Sequence, residues 1–356
     1  MTDLYVAAGG GGDPIGTLVA ARTITLDPAP PLIATYAWER PEVDPTARPL
    51  GKRDFAGLAR GAGGAAAFTP ATRARLPAGS TLPGLARDLP ARLLLLDPAQ
   101  GLSSLAHQIA SMAEAAGGRI RIVDIGGDIL THGDEPTLRS PFGDAFTLAA
   151  CHLTGIPTTV YVAGPGLDGE IGEQPLLERL TGRHPLTPGR GAASAAAAAL
   201  AWHPSEASAL WAAAVHGARG TVRTVNGTFH LTEVSPQLHH LPLQEAIGHN
   251  PVAQALLDER PATLDAAAAL SHRITGIHGL EPERDRSPRQ GPTARGAACG
   301  TAFLGQDEVM KTLREAADGA DHVTLRYAAR TLGLTWTDIP ALRHVLDTDT
   351  PLLQLT

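Results

Sequence analysis

The sequence predicts an α/β protein with a Rossmann-like, doubly wound and mainly parallel sheet, followed by a more helical C-terminal half. Two observations lead to this prediction. Up to about residue 180, short apolar runs alternate with longer helix-like stretches, the pattern of a parallel sheet with helices on both faces. Beyond Gly164 the strand-like runs become sparse and helical stretches dominate.

The elements of the first half follow from this alternation. The predicted strands are the apolar runs at residues 4–8, 32–38, 93–96, 120–125 and 158–162. Helices are predicted between them at residues 15–22, 104–116 and 144–153. Residues 45–64 are rich in Gly, Pro and Arg, which predicts a long excursion or lid rather than a core element. Residues 1–180 are therefore expected to form a Rossmann-like domain.

The second half is expected to be a mainly helical part, residues 181–356, packed on the first. Beyond Gly164, helices are predicted at residues 175–180, which end the first domain, and at 192–201, 205–216, 243–259, 264–271, 307–318 and 337–346. Runs rich in β-branched residues at 221–225 and 229–234 flank Asn226-Gly227, which predicts a β-hairpin with a type I′ turn. Residues 281–295 carry many Arg and Pro and few apolar residues, so we expect a mobile loop there.

Composition narrows the class of protein. With 43% hydrophobic and 18% charged residues, the 356-residue chain is an ordinary globular protein. Its net charge of -7 disfavours a nucleic-acid partner. No basic stretch precedes an apolar run at the N-terminus, and the apolar segments are short, so we expect a cytoplasmic protein without a membrane partner. Cys151 and Cys299 lack CxxC spacing and are expected to be buried thiols. The sequence leaves open whether the protein forms a homo-oligomer.

A glycine-rich loop directly follows the first predicted strand. Four consecutive glycines expose backbone N–H groups, and the next helix adds partial positive charge, so a phosphate or carboxylate could bind there. The spacing matches neither GxGxxG nor the Walker loop. The alternative is a tight turn with an acidic helix cap and a proline in the first turn. The loop residues are Gly9, Gly10, Gly11, Gly12 and Asp13.

A second group of polar residues follows the fourth predicted strand. The carboxyl ends of parallel strands meet at one edge of a sheet, so Asp124, Gly126, Gly127 and Asp128 should lie beside the glycine loop. Crowded carboxylates require a cation, protons or a positively charged substrate. For some of these acids, a turn or helix cap is the simpler explanation. Further polar candidates follow shortly in the chain, namely Glu135, Ser140 and Asp144.

The loop after the fifth predicted strand carries Asp168 and Glu170 and is expected at the same edge. On its own it would be an ordinary surface turn. The histidines offer weaker candidates: His132 follows the Asp128 motif, whereas the adjacent His239 and His240 lack the spacing of a helical zinc site. No GxSxG elbow supports a covalent mechanism.

Four motifs occur in order along the chain, namely the glycine loop at 9–13, the motif at 124–128, the segment from 135 to 144 and the loop at 166–170. This ordered set resembles the domain-of-unknown-function family 1152, a family of archaeal and bacterial proteins. The resemblance is concentrated in residues 4–172. It implies that the acidic and glycine motifs form one site, and it implies no particular reaction.

Three hypotheses for the function remain. The leading one is an enzyme that hydrolyses, or transfers a group of, a nucleotide, sugar or other phosphorylated metabolite. Asp124 and Asp128 would bind Mg²⁺ and act in catalysis, and Asp168 or Glu170 would be the general base or acid. The second is a metal-independent carboxylate site for an amine or guanidine. The third is a non-catalytic small-molecule binding protein. Nicotinamide chemistry is disfavoured because the glycine spacing differs from GxGxxG.

Overall fold

The computed structural model describes residues 3–25, 27–280 and 305–355. Over these residues the strands are β1 (Leu4–Ala7), β2 (Leu32–Tyr36), β3 (Phe55–Ala56), β4 (Ala59–Arg60), β5 (Ala66–Ala67), β6 (Arg73–Ala74), β7 (Arg92–Leu96), β8 (Ile120–Ile125), β9 (Thr158–Ala163), β10 (Gly220–Thr224), β11 (Gly227–Leu231), β12 (Leu238–Pro242), β13 (His322–Thr324) and β14 (Leu352–Gln354). The helices are α1 (Asp13–Ile24), α2 (Leu82–Asp88), α3 (Gly101–Ala116), α4 (Pro141–Leu153), α5 (Glu173–Arg179), α6 (Arg190–Ser194), α7 (Ala197–Leu200), α8 (Glu206–His216), α9 (Leu243–His249), α10 (Pro251–Glu259), α11 (Leu264–Thr275), α12 (Gln306–Ala316), α13 (Leu325–Thr331) and α14 (Ile339–Leu346).

The protein is a mixed α/β structure with a large, mainly parallel sheet of eight strands. Five parallel strands form its centre in the order β9-β8-β1-β2-β7. They correspond to the five strands predicted from the sequence. An antiparallel strand, β12, extends one edge, and β5 and β4 extend the other.

Both faces of the central sheet are buried, as the apolar strands predict. Leu4 and Val6 of β1 belong to the core that contains α3 and α4. Tyr5 and Ala7 alternate with them and belong to the core on the opposite face, which contains α1 and α8. The period of two along a strand explains this division of side chains between the faces.

A smaller sheet follows in the second half, with the order β11-β10-β13-β14. Beside it, α12, α13 and α14 enclose a hydrophobic core of their own. The second half is also joined to the large sheet, because β12 pairs with β9.

The structure differs from four local predictions. The helix predicted at 243–259 is two helices, since Asn250 precedes Pro251 and its side chain caps the second one through Ala253 N at 2.9 Å. The helix predicted at 192–201 is also two short helices, α6 and α7, with a turn at Ala195 and Ala196 between them.

The predicted hairpin is present, but the prediction of its turn is wrong. Thr224 pairs with Gly227, which leaves Val225 and Asn226 as the two loop residues. Neither has positive φ, so the turn is not type I′. The Thr224 hydroxyl accepts a hydrogen bond from Asn226 N at 3.1 Å and thereby closes the turn.

The excursion predicted at 45–64 is partly a core element. Leu50 and Phe55 are buried, and β4 pairs with β5 at the edge of the large sheet.

Cys151 is buried in α4, whereas Cys299 and the predicted loop at 281–295 lie outside the described residues. None of the helices in the described ranges is both long enough and apolar enough to span a bilayer.

Candidate functional site

The candidate site lies where two neighbouring parallel strands send the chain to opposite faces of the sheet. β1 and β8 pair directly. After β1 the chain enters α1 on one face, and after β8 it reaches α4 on the other. Such a divergence leaves a crevice at the carboxyl ends of the two strands, which is where α/β proteins commonly bind ligands.

A cavity of about 220 Å³ occupies this crevice. Its lining includes nine carboxylate side chains but only two arginines, Arg40 and Arg139. The acidic residues are Asp13, Glu39, Glu42, Asp124, Asp128, Asp144, Asp168, Glu170 and Glu206. The cavity therefore has a strong excess of potential negative charge.

Three aspartates form the centre of the site. Asp124 is the penultimate residue of β8, Asp128 begins the 3₁₀ helix Asp128–Leu130, and Asp144 lies in the first turn of α4. One carboxylate oxygen from each lies within 4.8 Å of the others. The three residues are only 2%, 7% and 4% exposed, respectively. We refer to them as the three-aspartate cluster.

The electrostatics of this cluster favour protons or a cation. The pKa of each of the three carboxyls is raised well above its usual range, and burial is the largest cause. Mutual repulsion adds to it, together with repulsion from Asp13 and Asp168. Over the described residues, Oδ1 of Asp144 is buried and has no hydrogen-bond partner. A divalent cation would compensate both the charge and the missing contact.

Asp168 lies next to the cluster, and one of its carboxylate oxygens has no hydrogen-bond partner among the described residues. Its Oδ1 accepts a hydrogen bond from Glu170 N at 2.9 Å, whereas Oδ2 is buried without a partner in the described part of the chain. Burial and repulsion from Glu170 raise the pKa of Asp168 to about 7. Gly126 permits this approach, because its φ is +124° and a Cβ there would lie 2.2 Å from Cγ of Asp168.

Glu170, by contrast, is held by the backbone that leads into α4. Its Oε2 accepts hydrogen bonds from Arg139 N at 2.7 Å and Ser140 N at 2.9 Å. Its Oε1 accepts one from the Ser140 hydroxyl at 2.5 Å and lies 3.8 Å from Nε of Arg139. These contacts hold both oxygens of Glu170 against the start of α4, the helix that carries Asp144.

The glycine loop forms one wall of the cavity, and its neighbours explain why glycine is required. A Cβ at Gly10 would lie 2.3 Å from the Trp38 carbonyl oxygen, and one at Gly12 would lie 2.2 Å from Cβ of Ser205. Oδ2 of Asp13 accepts a hydrogen bond from Gly9 N at 2.8 Å. The hydrogen bonds among the described residues include none from the amides of Gly10, Gly11 and Gly12.

The structure brings most, but not all, predicted residues into the cavity. The lining contains Gly9, Gly10, Gly11, Gly12, Asp13, Asp124, Asp128, Ser140, Asp144, Asp168 and Glu170. Gly126 and Gly127 lie outside the lining, where Gly127 packs against Leu176. Glu135 also lies elsewhere, paired with Arg179 at 2.8 Å and bonded to the backbone of its own loop.

None of the three histidines considered from the sequence lines this cavity. His132 is exposed and stacks on His249, and its Nε2 lies 3.3 Å from Nδ1 of that residue. His239 and His240 lie on β12, at the edge of the large sheet.

Three further segments of the lining were not predicted, of which the last in the chain is the pair Gly279 and Leu280, after α11. One follows β2 and contributes Glu39, whose Oε1 accepts hydrogen bonds from the amide and the hydroxyl of Thr81, each at 2.7 Å. The strand-end rule that indicated Asp124 would also have indicated Glu39. The second leads into α8 and contributes His203 and Glu206, the first residue of that helix. No sequence signal links it to the loops, because only tertiary packing brings α8 beside α1.

His203 is buried in this second segment and is not available as an acid or base. Its Nδ1 accepts a hydrogen bond from Ser205 N at 3.1 Å, and its Nε2 lies 3.0 Å from the Thr81 hydroxyl. Burial is the main cause that lowers the pKa of His203 to about 3, so the imidazole stays neutral near pH 7.

Comparison with known proteins gives one match. The family model described as "Protein of unknown function (DUF1152)" matches residues 4–287, which include every residue of the cavity lining. No curated protein and no solved structure matches the chain.

Proposed function

The chain belongs to the DUF1152 family, and we propose that it is an enzyme that hydrolyses, or transfers a group of, a phosphorylated small molecule such as a nucleotide or sugar phosphate. In this proposal a divalent cation, Mg²⁺ by preference, binds to Asp124, Asp128 and Asp144. One observation carries it: three buried carboxylate oxygens lie within 4.8 Å of one another. Hard divalent ions favour such oxygen donors.

The distances are compatible with this ion. Mg²⁺ lies about 2.0–2.1 Å from its oxygen ligands, so two ligands of one ion are at most about 4.2 Å apart. A small adjustment of the three side chains satisfies this limit. The orphaned Oδ1 of Asp144 supports the same site, because a buried carboxylate oxygen without a donor is otherwise costly.

The opposite wall of the cavity supports an anionic substrate group. The amides of Gly10, Gly11 and Gly12 are unused by the described residues and precede the N-terminus of α1. Arg40 and Arg139 are the positively charged side chains of the lining. A phosphate group between these donors and the metal ion would accept hydrogen bonds from the amides and would offset the positive charge of the arginines and the ion.

Among the carboxylates, Asp168 is our candidate for contact with the reacting groups. Its Oδ2 has no hydrogen-bond partner among the described residues, so this oxygen is available to a reacting group in the cavity. Glu170 was an equal candidate from the sequence, but its two oxygens accept three hydrogen bonds. We therefore assign Glu170 a positioning role.

The fold class proposed from the sequence has support in the strand order. Numbered along the chain, the parallel strands lie in the order 5-4-1-2-3, which is the order of a Rossmann-like half with two further strands. In such folds a ligand binds between the first and fourth strands, here β1 and β8. This placement supports a nucleotide-like or phosphorylated ligand at the cavity.

A second candidate function follows from the charge of the lining. Nine carboxylates against two arginines would also suit an amine or guanidine substrate without a metal. In that case Asp124, Asp128 and Asp144 would bind the cationic group of the substrate directly.

The test is an activity screen with and without metal. Purified full-length protein is stripped with EDTA and incubated with nucleotides, sugar phosphates or polyamines, with or without Mg²⁺, and products are detected by mass spectrometry. We expect turnover of a phosphorylated compound that requires Mg²⁺ and falls about 100-fold or more in Asp128→Asn. Asp258→Asn, which removes an exposed carboxylate on α10, is the matched control and should retain full activity.

The outcomes separate the candidates. Turnover of an amine compound that is insensitive to EDTA would contradict the metal proposal and support the second candidate. Binding of a ligand without any turnover would indicate a non-catalytic binding protein. Full activity of Asp128→Asn would contradict both enzyme proposals.

A further inference from the structure

Glu206 lines the candidate site, and one of its two carboxylate oxygens is fully engaged by the protein. The residue is only 6% exposed. Its Oε1 accepts a hydrogen bond from Val225 N at 3.0 Å and another from the Thr324 hydroxyl at 2.5 Å. A carboxylate oxygen offers two lone pairs, so these donors occupy both of them. They also fix the orientation of the carboxyl group.

The other oxygen of Glu206, Oε2, is buried and accepts no hydrogen bond from the described residues. Nη1 of Arg326 lies 3.7 Å from it, close enough for charge compensation but too far for a hydrogen bond. Nη2 of the same arginine pairs with Oε1 of Glu42 at 2.6 Å. A buried carboxylate oxygen without a donor is costly. Oε2 is therefore an acceptor that a ligand in the cavity can satisfy.

Glu206 lies where the cavity of the site meets a smaller one. The second cavity has a volume of about 70 Å³, and Arg40, Arg139 and Glu206 line both. The hairpin of β10 and β11 contributes Asn226 and Phe229 to its wall. A ligand that extends from the first cavity into the second would pass Glu206.

The start of α8 also contacts the glycine loop. A Cβ at Gly12 would lie 2.2 Å from Cβ of Ser205, and the Ser208 hydroxyl donates a hydrogen bond to the Gly12 carbonyl oxygen at 3.1 Å. Glu206 lies between these two serines in the chain. A compound whose phosphate binds to the amides of the glycine loop therefore has the group attached to that phosphate within reach of Glu206.

The contacts of Glu206 indicate which kind of donor it accepts. A guanidine group or the edge of a guanine base offers two parallel donors and uses both oxygens of a carboxylate, but only Oε2 is available. An ammonium group would meet the positive charge of Arg326 beside this oxygen and that of Arg40 in the shared wall. A hydroxyl group is neutral and offers a single donor.

We propose that Glu206 recognises a sugar hydroxyl of the substrate, which donates a hydrogen bond to Oε2. The inference rests on the proposed function, in which the phosphate of the same molecule lies between the glycine loop and the metal ion. It narrows the substrate class to phosphorylated compounds that carry a sugar. Glu206 then determines specificity and lies outside the three-aspartate cluster.

The experiment compares sugar compounds with counterparts that lack one hydroxyl. The probes are ribose 5-phosphate, glucose 6-phosphate and AMP, each with its monodeoxy counterparts, and dissociation constants are measured by isothermal titration calorimetry with Mg²⁺. For a compound that is turned over, kcat/KM replaces the dissociation constant. In the wild type we expect the loss of one particular hydroxyl to weaken binding at least about tenfold, the effect of one hydrogen bond to a charged group.

Two variants assign this preference to Glu206. In Glu206→Gln the preference for the hydroxyl should fall below about threefold, because an amide nitrogen replaces the accepting oxygen. Glu233→Gln is the matched control, since it also removes a carboxylate paired with an arginine, but at an exposed position outside both linings. It should keep the wild-type preference. Circular dichroism verifies that each variant is folded.

The wild-type result tests the inference without any variant. Equal binding of the sugar compounds and all of their deoxy counterparts would overturn the inference and leave the proposed function intact. A preference that persists in folded Glu206→Gln would overturn the assignment of Glu206. Binding of none of the phosphorylated compounds would overturn both the inference and the proposed function.

Discussion

Replacement of Asp13 by asparagine should stabilise the metal-free protein at about pH 8 and have little effect at about pH 4. Asp13 begins α1, and its Oδ2 accepts the hydrogen bond from Gly9 N at 2.8 Å. Burial raises the pKa of Asp13 from 3.8 to about 7, although the Gly9 amide and the Arg40 charge act in the opposite direction. The ionised carboxylate is therefore disfavoured in the folded protein.

The sign and size of the effect follow from this pKa. Because the folded protein binds the proton more tightly than the unfolded chain, its stability falls as the pH rises from about 4 to about 7. The difference corresponds to at most about 4 kcal/mol, at about 1.4 kcal/mol per tenfold change in proton affinity. The side chain is partly exposed, so solvent screening reduces the expected gain to about 1–2 kcal/mol. Asparagine retains an acceptor for Gly9 N.

The assay is urea unfolding in the presence of EDTA at several pH values between about 4 and 8. Wild type, Asp13→Asn and Asp258→Asn are compared at each pH. We expect the free energies of unfolding of wild type and Asp13→Asn to diverge as the pH rises, with Asp258→Asn following the wild type. A variant that is less stable than the wild type at pH 8, or that shows the same pH dependence, would refute the reasoning.

Three further predictions concern the residues around the site. Gly126→Ala should destabilise the protein by about 2–3 kcal/mol in urea unfolding, because positive φ and the clash with Asp168 act together. Gly118→Ala shares the positive φ without a neighbour and should cost about 1 kcal/mol. Glu170→Gln should cost about 1–3 kcal/mol, since an amide cannot accept from all three donors, and an unchanged unfolding midpoint would contradict its positioning role. Burial acts against ionisation of Glu135, but hydrogen bonds from His132 N and the Thr131 hydroxyl outweigh it and lower the pKa of Glu135 to about 2. The ionised carboxylate therefore stabilises the folded protein, and this contribution should disappear as the pH falls from about 4.5 to about 2. Glu135→Gln should lack this dependence in acid unfolding followed by circular dichroism.

The sequence alone determined the central strands and the position of the main acidic motif. Runs such as 93–96 are apolar on both faces, and this local pattern suffices to identify a strand within a parallel sheet. Because parallel strands end at one edge, the glycine loop and Asp124 could be placed together without knowledge of the packing. Asp128 and Asp168 followed from the same rule.

The sequence could not separate carboxylates that line the cavity from those that stabilise a loop. Glu135 and Asp144 are similar candidates in the sequence, yet Glu135 pairs with Arg179 and Asp144 joins the three-aspartate cluster. Their different places depend on where α4 begins, which Glu170 fixes through hydrogen bonds to residues thirty or so positions away in the chain. Such long-range contacts leave no periodic pattern in the sequence.

Only the tertiary structure decided which atoms approach closely enough for shared chemistry. The rule that parallel strands end at one edge locates a residue only to within a few strand spacings of about 4.8 Å each. Metal binding requires a much finer placement, because each oxygen ligand lies about 2 Å from the ion. That precision comes from side-chain packing and hydrogen bonds, as at Gly126, whose missing Cβ admits Asp168. The wall formed by His203 and Glu206 likewise exists only because α8 packs beside α1.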